Sequence, residues 1–150
     1  MKFSLTKLKA AFGQVKSAEK SIESDNTEAI INDLKDEPLA ISSENVMYAG
    51  WDELGGYHFM QTVIVGRFHI KTVKGAKLHI AGKSIDLNLD SDMVELESDP
   101  SNVSNRSITR IDFQIEKSDI KKITRSNIDS LTLTAKKQRL EFKIYNKKQS

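Results

Sequence analysis

Three side chains in the middle of this sequence, His79, Asp86 and Glu97, are of the types that hold a divalent metal: one imidazole and two carboxylates. Whether they meet depends on strand register. A two-residue turn at Gly82 and Lys83 sets Ile80 opposite Ile85 and Leu78 opposite Leu87. A second turn near Asp90 to Met93 sets Leu89 opposite Val94 and Leu87 opposite Leu96, so apolar faces apolar in both hairpins. On the polar face Asp86 then lies between His79 and Glu97, with Lys71 one strand further out. A solvated charge ladder is the commoner use of such a set. Asp86, Asn88, Asp90 and Glu97 also fall at calcium-loop spacing, but Ser91 stands where the sharp-turn glycine belongs. Leu87 and Leu89 alternate as in a strand and Pro100 blocks an exiting helix, so the surroundings exclude an EF-hand.

A second constellation is basic. Lys121, Lys122 and Arg125 share one bend, Lys136, Lys137 and Arg139 share a hairpin tip, and Lys147 and Lys148 follow at the end. If these loops gather at one end of a sheet they form a phosphate or anionic-lipid patch. Loop charge that solubilises and guards an edge strand is the plainer reading. No aromatic residues interleave with them, which disfavours nucleic acid. The net charge is only +2, but from Arg106 onward twelve Lys and Arg face five acids, while Asp86 to Asp99 holds six acids and no base.

A third constellation is aromatic. Residues 46 to 60, VMYAGWDELGGYHFM, crowd three glycines with the only Trp and two of the three Tyr. This reads as a loop whose rings, Tyr48, Trp51 and Tyr57, contact a ligand or partner, or whose Trp51 plugs the end of a barrel. Cysteine is absent, which removes thiol catalysis and cysteine metal ligands. There is no phosphate loop ahead of a helix, no Gly-x-Ser-x-Gly and no helical pair of histidines, so no catalytic residue is assigned and no cofactor is expected.

The elements that must position these residues are written in the apolar spacing. Strict alternation runs through Ile111, Phe113 and Ile115, through Leu131 and Leu133, and through Leu140, Phe142 and Ile144, with Arg110, Asp112, Gln114 and Glu116 on the opposite face. One face is buried and one is wet. In residues 59 to 73 the second face changes from Val63 and Val65 to Arg67, His69 and Lys71, as in a strand that leaves a doubly buried region. The last hairpin sets Leu133 opposite Leu140 and Leu131 opposite Phe142.

Upstream, Phe3, Leu5, Leu8, Phe12, Val15 and Ile22 predict an amphipathic helix over about residues 4 to 22. Docking on the sheet is the leading reading of that helix, and lying on an anionic membrane surface is the second. Asp25 with Glu28, then Ile30, Ile31 and Leu34, predict a shorter helix that Pro38 terminates. No stretch approaches the roughly 20 apolar residues of a membrane span, and Lys7 and Lys9 interrupt any signal-peptide core.

The final segments, FQIEKSDIKKI and SLTLTAKKQRLEFKI, resemble the later half of pleckstrin-homology-like domains, including their bacterial relatives. The resemblance implies that topology. The expectation is one mainly β domain: an antiparallel barrel or sandwich of about seven strands, with one or two N-terminal helices packed on it. Residues 1–45 form its helical segment, 46–58 its Gly/aromatic loop and 59–150 its β part. It reads as a non-catalytic cytoplasmic binding or assembly module, with a protein partner or second copy as its ligand. The rivals are a small-molecule barrel or hydrolase with a pocket under the aromatic loop, and anionic-lipid attachment through the basic loops and the first helix.

Overall fold

The computed structural model describes residues 27–34 and 36–146; the helix expected over residues 4 to 22 and the tail lysines Lys147 and Lys148 lie outside them. Two helices are described, α1 (Thr27–Asp33) and the single turn α2 (Lys117–Ile120). The strands are β1 (Ala40–Ile41), β2 (Asn45–Leu54), β3 (Tyr57–Gly66), β4 (Lys71–Thr72), β5 (Lys77–Gly82), β6 (Asp86–Asp90), β7 (Leu96–Glu97), β8 (Asp99–Pro100), β9 (Ser107–Ile115), β10 (Ile128–Ala135) and β11 (Gln138–Ile144). Nine of them join one antiparallel sheet in the order β6, β5, β10, β11, β1, β2, β3, β9, β8, while β4 and β7 pair separately. The sheet curls into a half-barrel. Its two sides touch where Ser91 bridges Phe113 and the Asp92 amide donates to the Asp112 carbonyl at 2.7 Å.

Alternation explains the curl. Met47, Met60, Ile64, Leu78, Ile80, Phe113 and Leu131 point inward from successive strands into one cluster and are wholly shielded from water. Each such side chain contributes about 1.5–3 kcal/mol. On β2 and β3 the outer face is apolar as well. Val46, Tyr48, Val63 and Val65 pack there with Ile30 of α1 and Leu34 just after it, which is why Val63 and Val65 flank Ile64 in sequence. Arg106, from the β8–β9 connection, locks this layer: its side chain is 2 % exposed and Nη1 donates to Asp33 Oδ2 of α1 at 3.0 Å. Burial pushes the Tyr48 phenol far above its ordinary range, with the Asp36 carboxylate adding to the rise and the Arg106 guanidinium opposing it.

After β3 the chain crosses from the end of that strand to the start of β11. Phe68 and Ile70 turn into the core while Arg67, His69 and Lys71 face water. Gln138 Nε2 donates to the His69 carbonyl at 2.9 Å and holds this strap to β11.

Several expectations are met. The last hairpin has Leu133 opposite Leu140 and Leu131 opposite Phe142. Others are corrected. There are more strands than seven, and residues 46 to 58 are not a loop: they form most of the β2–β3 hairpin, whose long register runs from Asn45 opposite Gly66 to Leu54 opposite Tyr57. β1 lies within the segment expected to be helical. The β5–β6 turn sits one residue later than expected, with the Gly82 amide donating to the Ile85 carbonyl at 2.8 Å, so Ile80 meets Leu87 and Leu78 meets Leu89. Gly82 is required for close approach rather than for turning. A Cβ there would lie 1.7 Å from the Asn127 carbonyl oxygen. No third strand follows on from β6: Leu96 and Glu97 leave to pair with Thr72 and Lys71.

Candidate functional site

The strap and the β10–β11 turn enclose a groove of about 880 Å³ lined by Lys71, Thr72, Val73, Lys74, Lys136, Lys137 and Gln138. Four of the seven lining residues are lysines and none is an acid. Local rules place them. Thr72 is buried and its Oγ1 accepts the Lys74 amide at 3.1 Å, which turns the chain and leaves Lys71 and Lys74 outward. Gly75, at φ 73°, then donates to the Val94 carbonyl at 2.8 Å. Across the groove Ala135 pairs with Gln138, so Lys136 and Lys137 are the whole turn. Lys136 sits at φ 54°, left-handed backbone where glycine is favoured.

Electrostatically the groove is open and positive. A neighbouring hollow of about 420 Å³ adds Lys77, whose Nζ lies 2.9 Å from Asp90 Oδ1 in an exposed pair. On the strap Lys71 faces Glu97 in register. Ammonium groups on flexible stems, with no carboxylate among the lining residues, concentrate a multiply charged anion without fixing its orientation.

Of the expected basic patch, Lys136 and Lys137 reach this groove. Among the described residues the rest do not join them. Arg139 Nε is 3.9 Å from Glu141 Oε2. Lys121 and Lys122 lie beyond the opposite end of β10, whose eight residues span roughly 25 Å. Arg125, at that same end, is a clamp: Nη1 donates to the Tyr145 carbonyl at 2.8 Å and Nη2 to the Pro38 carbonyl at 2.8 Å. One patch is therefore two separate regions, because β10 stands between its loops.

The metal constellation is also split. His79 Nε2 and Asp86 Oδ1 are 2.6 Å apart on the exposed face of β5 and β6, but Glu97 pairs with Lys71 on the strap. The late β5–β6 turn sets Asp86 opposite Ala81, and β7 never joins β6. Among the described residues no three His, Asp or Glu side chains are grouped to hold a metal ion.

The aromatic trio is dispersed by alternation. Tyr48 is wholly buried under α1, Trp51 is partly buried against the main core opposite Met60, and Tyr57 is 61 % exposed at the hairpin turn. Only Tyr57 is placed to meet a partner through an open ring.

Lys71 and Lys74 were not among the residues the sequence pointed to as an anion site. The signal was there, since the apolar second face of β3 gives way to Arg67, His69 and Lys71. A further pair is His69 Nδ1 with Ser107 Oγ at 3.0 Å, beside a pocket of about 460 Å³. His69 is exposed and Ser107 half-buried, and among the described residues no carboxylate orients the imidazole, as a nucleophile–base pair requires.

No helix among the described residues is long and apolar enough to cross a membrane. No family model, curated protein or solved structure matches this chain.

Proposed function

We propose that this protein is a non-catalytic binding module of the cytoplasm that takes an anionic group in the groove between the strap and the β10–β11 turn. The observation that carries the reading is the lining itself, four lysines from two distant parts of the chain and no acid. Lys136 supports it too. A lysine in left-handed backbone costs about 1 kcal/mol relative to glycine, and this one points a charge where two strands turn.

The rival pocket beneath residues 46 to 60 has less support, because most of that segment is strand and Trp51 packs against the main core cluster. Titration with tripolyphosphate, followed by amide chemical shifts, tests the proposal. The expected shifts fall on residues 71–74 and 136–138, with Lys121 and Lys122 unmoved as internal controls. Equal shifts at both ends of β10 would show unspecific screening and defeat it.

A further inference from the structure

We infer that the anion this groove takes is the acidic, apolar-tipped turn of the β2–β3 hairpin of a second copy of the chain. The inference rests on the groove reading above and names its partner. At the turn Leu54 is 71 % exposed and Tyr57 61 % exposed, and they stand opposite one another in register. Gly55 and Gly56, at φ 60° and 87°, make the tight turn between them, and a Cβ on either would meet nothing within 4 Å. Two large apolar side chains thus project into open space. Asp52 and Glu53 precede them, both exposed, and no Lys or Arg occurs from Asn45 to Gly66.

The groove is the complement. Val73, 70 % exposed, supplies an apolar floor for Leu54 and Tyr57, and Lys71, Lys74, Lys136 and Lys137 surround it for the two carboxylates. Neither Leu54 nor Tyr57 lines the groove of its own chain, and both stay exposed. The contact is therefore between different surfaces of two copies, head to tail, and extends to further copies unless it closes into a ring. Its few residues make it weak and salt-sensitive. An anionic bilayer suits the site less well, because Asp92 and Glu95 flank the exposed Met93 and Val94 beside it.

Sedimentation velocity of the full chain over a rising concentration series is the test. The sedimentation coefficient is expected to climb with concentration in low salt and to stay monomeric in Tyr57→Ala and in Lys136→Glu/Lys137→Glu. Reversal at the turn, Asp52→Lys/Glu53→Lys, abolishes association, and combining both reversals in one chain restores it, which guards against variants that merely misfold. A wild-type chain that is monomeric throughout, or association untouched by Tyr57→Ala, overturns the inference. Tripolyphosphate tells the two readings apart. Binding of tripolyphosphate at the groove by a chain that never associates removes only the second copy as partner. Association through Tyr57 that tripolyphosphate neither joins nor dissolves removes the groove from both. Co-sedimentation of a monomeric wild-type chain with phosphatidylserine vesicles gives the lysines to a bilayer and likewise overturns it.

Discussion

Arginines 106 and 125 and lysines 136 and 137 belong to the same basic C-terminal stretch, yet the fold uses them in opposite ways. Arg106 is buried against Asp33 and holds α1 to the sheet, and Arg125 joins the Pro38 and Tyr145 carbonyls, tying the approach to β1 and the end of β11 to the bend before β10. Lys136 and Lys137 cap a turn, face a groove, and among the described residues no carboxylate lines that groove with them. The difference lies in what surrounds each cation. A guanidinium placed beside backbone carbonyls satisfies several acceptors at once and becomes structural, whereas an ammonium on a turn has water for a neighbour and stays free to meet a ligand.

The sharpest break in that contrast comes from Asp33→Ala. Removing the carboxylate beside a nearly buried guanidinium is expected to destabilise the protein by roughly 3 kcal/mol in urea unfolding, with tripolyphosphate affinity unchanged. Arg125→Ala follows at about 2 kcal/mol, the scale of charge-assisted bonds to carbonyls. Loss of tripolyphosphate binding by the folded Arg125→Ala protein would show the two regions to be one. Lys136→Gly is expected to act in the other direction, raising stability by about 1 kcal/mol through relief of left-handed backbone while lowering tripolyphosphate affinity several-fold. If it destabilises, the lysine serves the fold.

The smallest effect belongs to Asp112. Burial, with Asp92 and Asp52 adding to it and Arg110 opposing, raises its carboxyl above the usual range. The folded state therefore disfavours the ionised form, so stability falls as pH rises from the unfolded value of this group through its folded one, and returns on acidification. Asp112→Asn is expected to raise Tm slightly at neutral pH and not at acid pH. Equal gains at both would assign the effect to packing.

Much of the fold was legible because alternation is a local signal. Phe113, Leu131 and Phe142 are buried where their spacing puts them, and the apolar second face at Val63 and Val65 announced a covering layer that proved to include Ile30 and Leu34. Register was less legible. Gly82 has the composition of a turn residue, but its lack of a side chain answers the Asn127 carbonyl, which lies far along the chain. The later turn there set Asp86 opposite Ala81, but Glu97 left Asp86 because β7 pairs with β4 and not with β6, and the expected metal set went with it. The candidate groove was half visible: Lys136 and Lys137 follow from the hairpin, but Lys71 and Lys74 reach them only because Phe68 and Ile70 bury themselves and draw the strap across to Gln138.

Residue order alone settled which side chains must leave water, because the two-residue period of a pleated strand requires no knowledge of neighbours. It also settled that cysteine chemistry has no place here. Which strands became neighbours beyond the hairpins, and so which charges share a space, was settled by long-range pairing: nothing local sets β5 beside β10 or β1 beside β11. Polar residues on the wet face carry little free energy of their own to choose partners. Their grouping follows from how the buried face closes.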